Sequence, residues 1–390
     1  MAHRYTSREM IDKLVSFDTV SRHSNLALIA FIEDYLAQWG VPSQRIENAE
    51  GTKANLFASA GPAEQAGGVV LSGHTDVVPV DGQDWASNPF STREADGLLH
   101  GRGTCDMKSF IAIALAHLPD MIEAGLERPV HFALSYDEEV GCLGVRPMID
   151  QALSTLPRPE IVIVGEPTMM KVVNAHKAIH AFRTEVTGFE AHSSRTHAGV
   201  NAISYAARII NFLEDEGERM RVKGDATERF DPPYTTVHIG TIEGGTALNI
   251  IPRKCSFVWE FRALPDQDVT EIPDRVDAYI QETLLPKMRA VSEEADITTV
   301  KREFVPGLMA NDGSPGETLV LKLAERNEAQ AVSYGTEAGL FQIADLPTVI
   351  CGPGSIDQAH QPNEFVSLEQ IAACDRFFSR LTKYVCGQTL

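Results

Sequence analysis

The chain has 390 residues, which is more than one hydrophobic core usually spans, so two domains are expected. Hydrophobic residues make up 43% of the chain and charged residues 23%, as in ordinary soluble globular proteins. The 54 acidic residues exceed the 34 lysines and arginines, and the resulting net charge of -20 opposes binding to nucleic acid or to an anionic membrane.

Targeting and membrane segments are not evident in the sequence. The first ten residues, MAHRYTSREM, are polar and charged, and no apolar run approaches the length of a membrane span. The six cysteines are scattered without a CxxC pair, which argues against a zinc ribbon and against a dense disulfide framework. We therefore expect a cytoplasmic enzyme.

Strands and helices are predicted to alternate in the first part of the chain. Residues 7 to 39 carry apolar side chains at helical spacing, and Gly40 is a plausible stop. Glycines at 101 and 103 predict a tight loop before an apolar helix. The predicted strands lie at 55–59, 69–71, 130–135 and 161–164, and the apolar helix at 109–118.

Polar side chains follow three of these strands. His74 and Asp76 come just after the strand at 69–71, and residues i and i+2 there share a face. The Asp76 carboxylate could then hold one imidazole nitrogen while the other nitrogen binds a metal. Glu138 and Glu139 follow the next strand, and Glu166 the one after it. This pattern indicates an α/β sheet with a site along its carboxyl edge.

The pattern changes near residue 178. A β-α-β-β-α-β order follows, with strands at 181–186, 235–242, 255–263 and 297–304 and helices at 202–213 and 269–291. After it, a helix at 318–329, strands at 331–333 and 348–351 and a helix at 367–385 return to α/β character. We predict an α/β catalytic domain (1–178 and 304–390) with an inserted α+β two-layer domain (179–303).

Imidazole and carboxylate side chains collect at the predicted sheet edge. Such ligands without thiolate suit zinc, cobalt or manganese, and five are too many for one open catalytic zinc but fit two metals that share a carboxylate. Glu138 is left over, where a general base is needed. The five candidate ligands are His74, Asp106, Glu139, Glu166 and His360.

Six motifs spread over nearly the whole chain resemble those of the M20 family of di-metal aminoacylases and deacetylases. In chain order they are HTDVVP at 74–79, GRGTCDMK at 101–108, DEEVG at 137–141, GEPT at 165–168, AHSS at 191–194 and AHQPNE at 359–364.

The resemblance implies a ligand set for two divalent ions, zinc or cobalt. His74, Asp106 and Glu166 would bind one ion, whereas Asp106, Glu139 and His360 would bind the other.

The resemblance also implies roles outside the ligand set. Asp76 would orient His74, and Glu138 would be the general base. The inserted domain would be a lid that mediates homodimerisation, and His192 would reach into the partner's site. Asn249 and Arg262 would hold a substrate carboxylate.

The implied substrate is an N-acylated amino acid, and residues 335–341, GTEAGLF, bear on its identity. Glu337 there favours a positively charged substrate side chain. A desuccinylase, a broad aminoacylase or dipeptidase, and a catalytically silent metal- or peptide-binding protein are the alternatives. Glu138 argues against the last, because binding alone needs no base.

Overall fold

The computed structural model describes residues 3–225 and 227–390, which divide into two compact units. The larger unit comprises the residues up to Ala175 together with Leu308–Ala331 and Thr336–Leu390. The smaller unit comprises His176–Gly307 and Val332–Gly335. Among the described residues, none of the helices combines the length and apolar character that a membrane span requires.

The α-helices, in chain order, are α1 (Ser7–Val15), α2 (Leu26–Gln38), α3 (Lys108–Ala124), α4 (Val145–Gln151), α5 (Ala202–Lys223), α6 (Glu271–Tyr279), α7 (Leu285–Arg289), α8 (Pro315–Ala324), α9 (Ala338–Ile343) and α10 (Leu368–Val385). The strands are β1 (Ser43–Glu47), β2 (Ala54–Ala60), β3 (Val69–His74), β4 (Arg93–Ala95), β5 (Leu98–His100), β6 (Val130–Ser135), β7 (Ile161–Val164), β8 (Val173–His176), β9 (Ala178–Thr187), β10 (Thr236–Gly244), β11 (Lys254–Ala263), β12 (Asp296–Val305), β13 (Gln330–Val332), β14 (Thr348–Ile350) and β15 (Phe365–Ser367).

An eight-stranded sheet with the order β1-β2-β6-β3-β7-β14-β8-β13 organises the larger unit. Its central strands β6, β3, β7 and β14 are parallel, and β2 and β8 flank them in the antiparallel direction. β3, β6 and β7 are buried along their whole length, as expected of parallel strands covered on both faces. Their carboxyl ends therefore meet at one edge of the sheet.

Small residues let the ends of β3 and β7 pack closely against α3. A Cβ on Gly73 would lie 2.8 Å from atoms of Ile111 and Met107, and a Cβ on Gly165 would lie 2.0 Å from the Phe110 ring. A side chain at either position would push the strand end away from the helix. The two glycines thus bring the residues that follow them next to the loop that precedes α3.

The helical pattern predicted for residues 7–39 is interrupted in the structure between α1 and α2. Polar side chains in this interval bind the chain beyond β3 instead of continuing a helix. Thr19 Oγ1 donates to the Thr75 carbonyl at 2.6 Å, and Ser21 Oγ donates to Asp76 Oδ2 at 2.7 Å. The interruption therefore supports the segment that carries His74 and Asp76.

An antiparallel sheet with the order β10-β11-β9-β12 forms one layer of the smaller unit. Its core combines Trp259 and Phe257 of β11 with Ile209 and Leu213 of α5, all at most 1% exposed. The predicted helix at 269–291 is instead α6, a π-helical turn (Ile280–Leu284) and α7. The predicted fold class, α/β with an inserted two-layer α+β domain, is confirmed.

Candidate metal centre

The ends of three parallel strands supply most of the candidate site in the larger unit. His74 is the last residue of β3, Glu138 and Glu139 follow β6, and Glu166 follows β7. His360 lies in the segment between β14 and β15. Asp106 comes from the loop before α3, the helix against which the ends of β3 and β7 pack.

The five candidate ligands lie together, and Asp106 is their centre. Asp106 Oδ1 lies 2.9 Å from His74 Nε2, and Asp106 Oδ2 lies 3.4 Å from His360 Nε2. Glu166 Oε1 approaches the same His74 nitrogen at 3.6 Å, and Glu139 Oε2 approaches the His360 nitrogen at 3.1 Å. Each oxygen of Asp106 thus faces one histidine, and each of these histidines faces one further carboxylate. This is the arrangement expected of a bridging ligand.

The cluster holds more carboxylates than cationic groups, and this excess shifts the pKa values of its members. Loss of hydration, opposed by His74 and reinforced by Glu139, raises the pKa of Glu138 to about 8. Burial and the charge of Asp106 raise the pKa of Glu166 well above its ordinary value. Burial alone would lower the pKa of His74, but its hydrogen bond to Asp106 and the charge of Glu166 raise it instead. Carboxylates held this closely need added positive charge to stay ionised.

The donor set fits two divalent cations. Glu139 Oε1 is buried and has no hydrogen-bond partner in the described part of the chain, so it is free to bind a cation. Ligand atoms of His74, Asp106 and Glu139 lie within 4.8 Å of one another, and so do those of His74, Glu138 and Glu166. The second group shows that distance alone does not separate Glu138 from the ligands.

Cysteine thiols are not candidate metal ligands at this site. Cys105 and Cys142 are the cysteines nearest these residues in the chain, and burial raises the pKa of both thiols well above the usual value. Cys142 Sγ donates to Glu138 Oε1 at 3.3 Å, and Cys105 Sγ donates to the Ser355 carbonyl at 3.1 Å. Protonated thiols are poor metal ligands, so the site is one of oxygen and imidazole donors.

Asp76 contacts His74 through its main chain, whereas the sequence pattern predicts that its carboxylate does so. His74 Nδ1 lies 2.9 Å from the main-chain carbonyl oxygen of Asp76 but 3.7 Å from its carboxylate. The carboxylate instead accepts the main-chain N–H groups of Glu138 at 3.2 Å and Glu139 at 3.4 Å. Asp76 therefore lies beside His74, and its carbonyl oxygen is closer to the imidazole than its carboxylate is.

The predicted substrate residues of the smaller unit lie in two neighbouring segments and on one strand. His192 and Asn249 are exposed, and the Asn249 carbonyl accepts the Ser193 N–H at 3.0 Å. Arg262 lies on β11, where its Nε donates to Glu260 Oε1 at 3.0 Å.

Glu337 is buried in the larger unit, with 1% of its surface exposed. Its carboxylate accepts the Ser72 hydroxyl at 2.6 Å and the Ser135 hydroxyl at 2.8 Å. Ser72 lies on β3 and Ser135 ends β6, so the negative charge of Glu337 sits beside the strands that carry the site.

Glu364 is a candidate functional residue that has no role in the sequence-based interpretation, although it ends the motif AHQPNE. It is 1% exposed and accepts the main-chain N–H groups of Gly103, Cys105 and Asp106. A glutamate four residues after a candidate histidine ligand is the only signal in the sequence.

Known proteins resemble this chain over nearly its full length. Residues 70–384 match peptidase family M20/M25/M40. An acetylornithine deacetylase from Myxococcus xanthus is 34% identical over 385 residues, which cover 97% of each chain. The M20 family metallo-carboxypeptidase Sso-CP2 from Sulfolobus solfataricus has a similar fold, with a TM-score of 0.78, 17% identity and coverage of 98% of this chain and 99% of that one.

A further solved structure is the YXEP protein of Bacillus subtilis, described as a dinuclear metal binding peptidase from the M20 family. Its TM-score is 0.65 at 14% identity, with 98% of this chain and 99% of that chain covered. The fold and the site define a metal-dependent amide hydrolase. The chain belongs to peptidase family M20/M25/M40.

Proposed function

We propose that the protein is an acetylornithine deacetylase, which hydrolyses N2-acetyl-L-ornithine to L-ornithine and acetate in arginine biosynthesis. The observation that carries this proposal is the 34% identity to a curated acetylornithine deacetylase over 97% of both chains. The grouping of two histidines and their carboxylates around Asp106 supports the same chemistry. We further propose that the enzyme is cytoplasmic.

The proposed metal ions are zinc or cobalt. His74, Asp106 and Glu166 would hold one ion, and Asp106, Glu139 and His360 the other. When bound, such cations polarise a carbonyl group and lower the pKa of water, so that a nucleophile exists near neutral pH.

Glu138 moves the proton in the proposed reaction. It takes the proton of the water whose oxygen attacks the acetyl carbonyl carbon, and then gives it to the amine nitrogen as the C–N bond breaks. The Asp76 carboxylate binds the main-chain N–H of Glu138 and so supports the loop that carries the base. Water and amide are thereby converted to acetic acid and the amine, and the amine takes up the acid's proton to leave acetate and an ammonium group.

His192, Asn249 and Arg262 are proposed to act from the smaller unit. In a homodimer, His192 of one protomer would donate a hydrogen bond to the developing oxyanion in the other protomer's site, a contact that typically contributes about 3 kcal/mol. Asn249 and Arg262 would bind the substrate carboxylate, for which Arg262 would exchange or share its present partner Glu260.

Substrate choice is proposed to depend on Glu337. Succinyl-diaminopimelate desuccinylases resemble GTSDGRF over this segment, with an arginine suited to an anionic substrate. This chain has Glu337 and Leu340 in GTEAGLF, which favours the cationic side chain of ornithine. Because both Glu337 oxygens are engaged by serine hydroxyls, we expect it to act through its electric field.

The direct test compares initial rates on N2-acetylornithine, N-succinyl-diaminopimelate and acetylmethionine after addition of zinc or cobalt. We expect kcat/KM for acetylornithine to exceed the others by at least about tenfold, which corresponds to ~1.4 kcal/mol, and a chelator to abolish all activity. A preference for the succinyl substrate would point to a desuccinylase, and a preference for acetylmethionine to a broad aminoacylase. Metal binding without cleavage of any amide would point to a binding protein.

Glu337→Gln tests the origin of the substrate preference. Glutamine keeps the shape and can still bond both serine hydroxyls, but it removes the negative charge. We expect the ratio of kcat/KM for acetylornithine to that for acetylmethionine to fall about fivefold to tenfold, because roughly 1 kcal/mol of charge attraction is lost. The neutral substrate is the internal control, and an unchanged ratio would contradict this role of Glu337.

A further inference from the structure

A buried ion pair connects the two loops that carry Asp106 and His360. Arg102 and Glu364 are each 1% exposed, and Arg102 Nη1 donates to Glu364 Oε2 at 2.6 Å. The pair is not required by the reaction described above, since neither residue is a candidate ligand or base. Its contacts extend in two directions, one toward each loop.

Toward Asp106, Glu364 shapes the loop before α3. Glu364 Oε1 accepts three main-chain N–H groups, from Gly103 at 3.0 Å, Cys105 at 2.8 Å and Asp106 at 3.0 Å. One carboxylate oxygen therefore fixes the backbone from which the proposed bridging ligand projects.

Toward His360, Arg102 acts through Gln83. Arg102 Nη2 donates to Gln83 Oε1 at 2.7 Å, and Gln83 Nε2 donates to the His360 carbonyl at 2.9 Å. Arg102 Nη1 also reaches the Gln361 carbonyl at 3.4 Å. His360 needs this support, because its side chain is 52% exposed and its φ of 64° lies in the left-handed region, which is uncommon for residues other than glycine.

We infer that the Arg102–Glu364 pair sets the spacing between Asp106 and His360, so both are positioning residues for one of the two ion sites. This inference rests on the proposed function, because it presumes the two-ion site. The site formed by Asp106, Glu139 and His360 takes two ligands from the loops that the pair joins. The other site takes His74 and Glu166 from the ends of β3 and β7, and only Asp106 from these loops.

The test is a cobalt titration of the metal-free full-length protein, followed by calorimetry and by cobalt absorption. For the wild type we expect two ions. For Glu364→Gln we expect the ion held by His74, Asp106 and Glu166 to keep its affinity within about threefold. The ion held by Asp106, Glu139 and His360 should bind 10- to 100-fold more weakly, which is the usual loss when a supporting partner of a ligand is removed. Equal weakening of both ions, or of neither, would overturn the inference.

Glu216→Gln is the matched control for loss of a buried charge. Glu216 is 2% exposed and accepts hydrogen bonds from Arg219 and Arg275 in the smaller unit. This variant should lower the melting temperature but leave both cobalt affinities unchanged. A weakened cobalt affinity in Glu216→Gln would show that instability alone explains the effect, and would overturn the inference.

Two further variants guard against a failure of Glu364→Gln to fold. Gln83→Ala removes the half-buried link between Arg102 and His360, together with the acceptor of the Trp85 indole N–H. It should weaken binding of the ion held by Asp106, Glu139 and His360 about tenfold. The double variant Arg102→Met/Glu364→Gln removes both charges, so its melting temperature should be higher than that of Glu364→Gln alone. The ion held by Asp106, Glu139 and His360 should still bind weakly. Recovery of that affinity together with stability would overturn the inference.

The same titration separates this inference from the proposed function. If the wild type binds two ions but does not hydrolyse acetylornithine, the proposed function fails, and the positioning role is still decided by the variants. A wild type that binds fewer than two ions would overturn the inference itself.

Discussion

Replacing Glu138 by glutamine is expected to lower kcat by a factor of 10² to 10⁴ while two metal ions stay bound. The size of the loss is that of a positioned general base, whose proton transfers glutamine cannot perform. Glutamine preserves the size of the side chain and can still accept the hydrogen bond that Cys142 Sγ donates. The measurement is steady-state kinetics on acetylornithine together with the metal content of the purified variant.

The metal content decides between two roles that geometry leaves open. Glu138 lies within 4.8 Å of ligand atoms of His74 and Glu166, as a ligand would. If Glu138 is a ligand, the glutamine variant should lose metal affinity along with turnover. If it is the base, turnover alone should fall. Glu64→Gln, the same change at an exposed position of the larger unit, is the control and should alter neither quantity.

The strand ends were the most predictable part of the site. The segments 69–71, 130–135 and 161–164 are largely apolar and have acidic residues or a histidine shortly after them. In a parallel sheet such strand ends meet at one edge. That rule places His74, Glu139 and Glu166 together without knowledge of the tertiary contacts. Asp106 and His360 lie in loops, to which this rule does not apply, so residue type makes them candidate ligands without fixing their positions.

The supporting contacts could not be read from the sequence, because they depend on the path of the main chain. His74 is held by the Asp76 carbonyl, an atom that every residue carries. Glu364 also accepts three main-chain N–H groups, and every residue except proline carries such a group, so these contacts leave no signal in the sequence. The break between α1 and α2 was missed for a similar reason, since Thr19 and Ser21 find their partners more than 50 residues away.

Removing the metal ions is expected to make the protein less stable, and increasingly so as the pH rises. The pKa of Glu138 is raised to about 8, and the pKa values of Glu139, Glu166 and His74 are also raised, mainly by loss of hydration for the glutamates and by neighbouring carboxylates for the histidine. The pKa of His360 rises to about 10 because of its hydrogen bonds to Asp106 and Glu139. The folded metal-free site therefore binds more protons than the unfolded chain.

The sign of the pH dependence follows from this difference in bound protons. A raised pKa in the folded state contributes stability that is complete below the unfolded pKa and is lost as the pH rises through the folded pKa. For Glu138 this window runs from about 4.5 to about 8. In a chelator, the melting temperature should consequently fall between pH 5 and pH 8. With metal bound, the carboxylates are neutralised by the ions and this loss should disappear.

At saturating zinc or cobalt, about 1,000 times the dissociation constant, each ion adds about 4 kcal/mol of stability. For a protein of this size each ion therefore raises the melting temperature by roughly 5 °C, and the two ions together by roughly 10 °C. Glu166→Gln should change the melting temperature in opposite directions with and without metal, because it removes one of the crowded carboxylates. Without metal the variant should melt at a higher temperature than the wild type at pH 8, and with metal it should gain less.

The change in melting temperature caused by Glu166→Gln should have one sign without metal and the opposite sign with metal. This difference distinguishes a metal site from an ordinary buried hydrogen-bond network. In an ordinary network, Glu166→Gln would remove a satisfied partner and destabilise the protein under every condition. In a site built for cations, the carboxylates repel one another until the ions bind, so the same substitution stabilises the metal-free state and weakens the loaded one. Scanning calorimetry of both proteins, with chelator and with metal, measures all four values. A lower melting temperature for metal-free Glu166→Gln would contradict the assignment of Glu166 to the metal site.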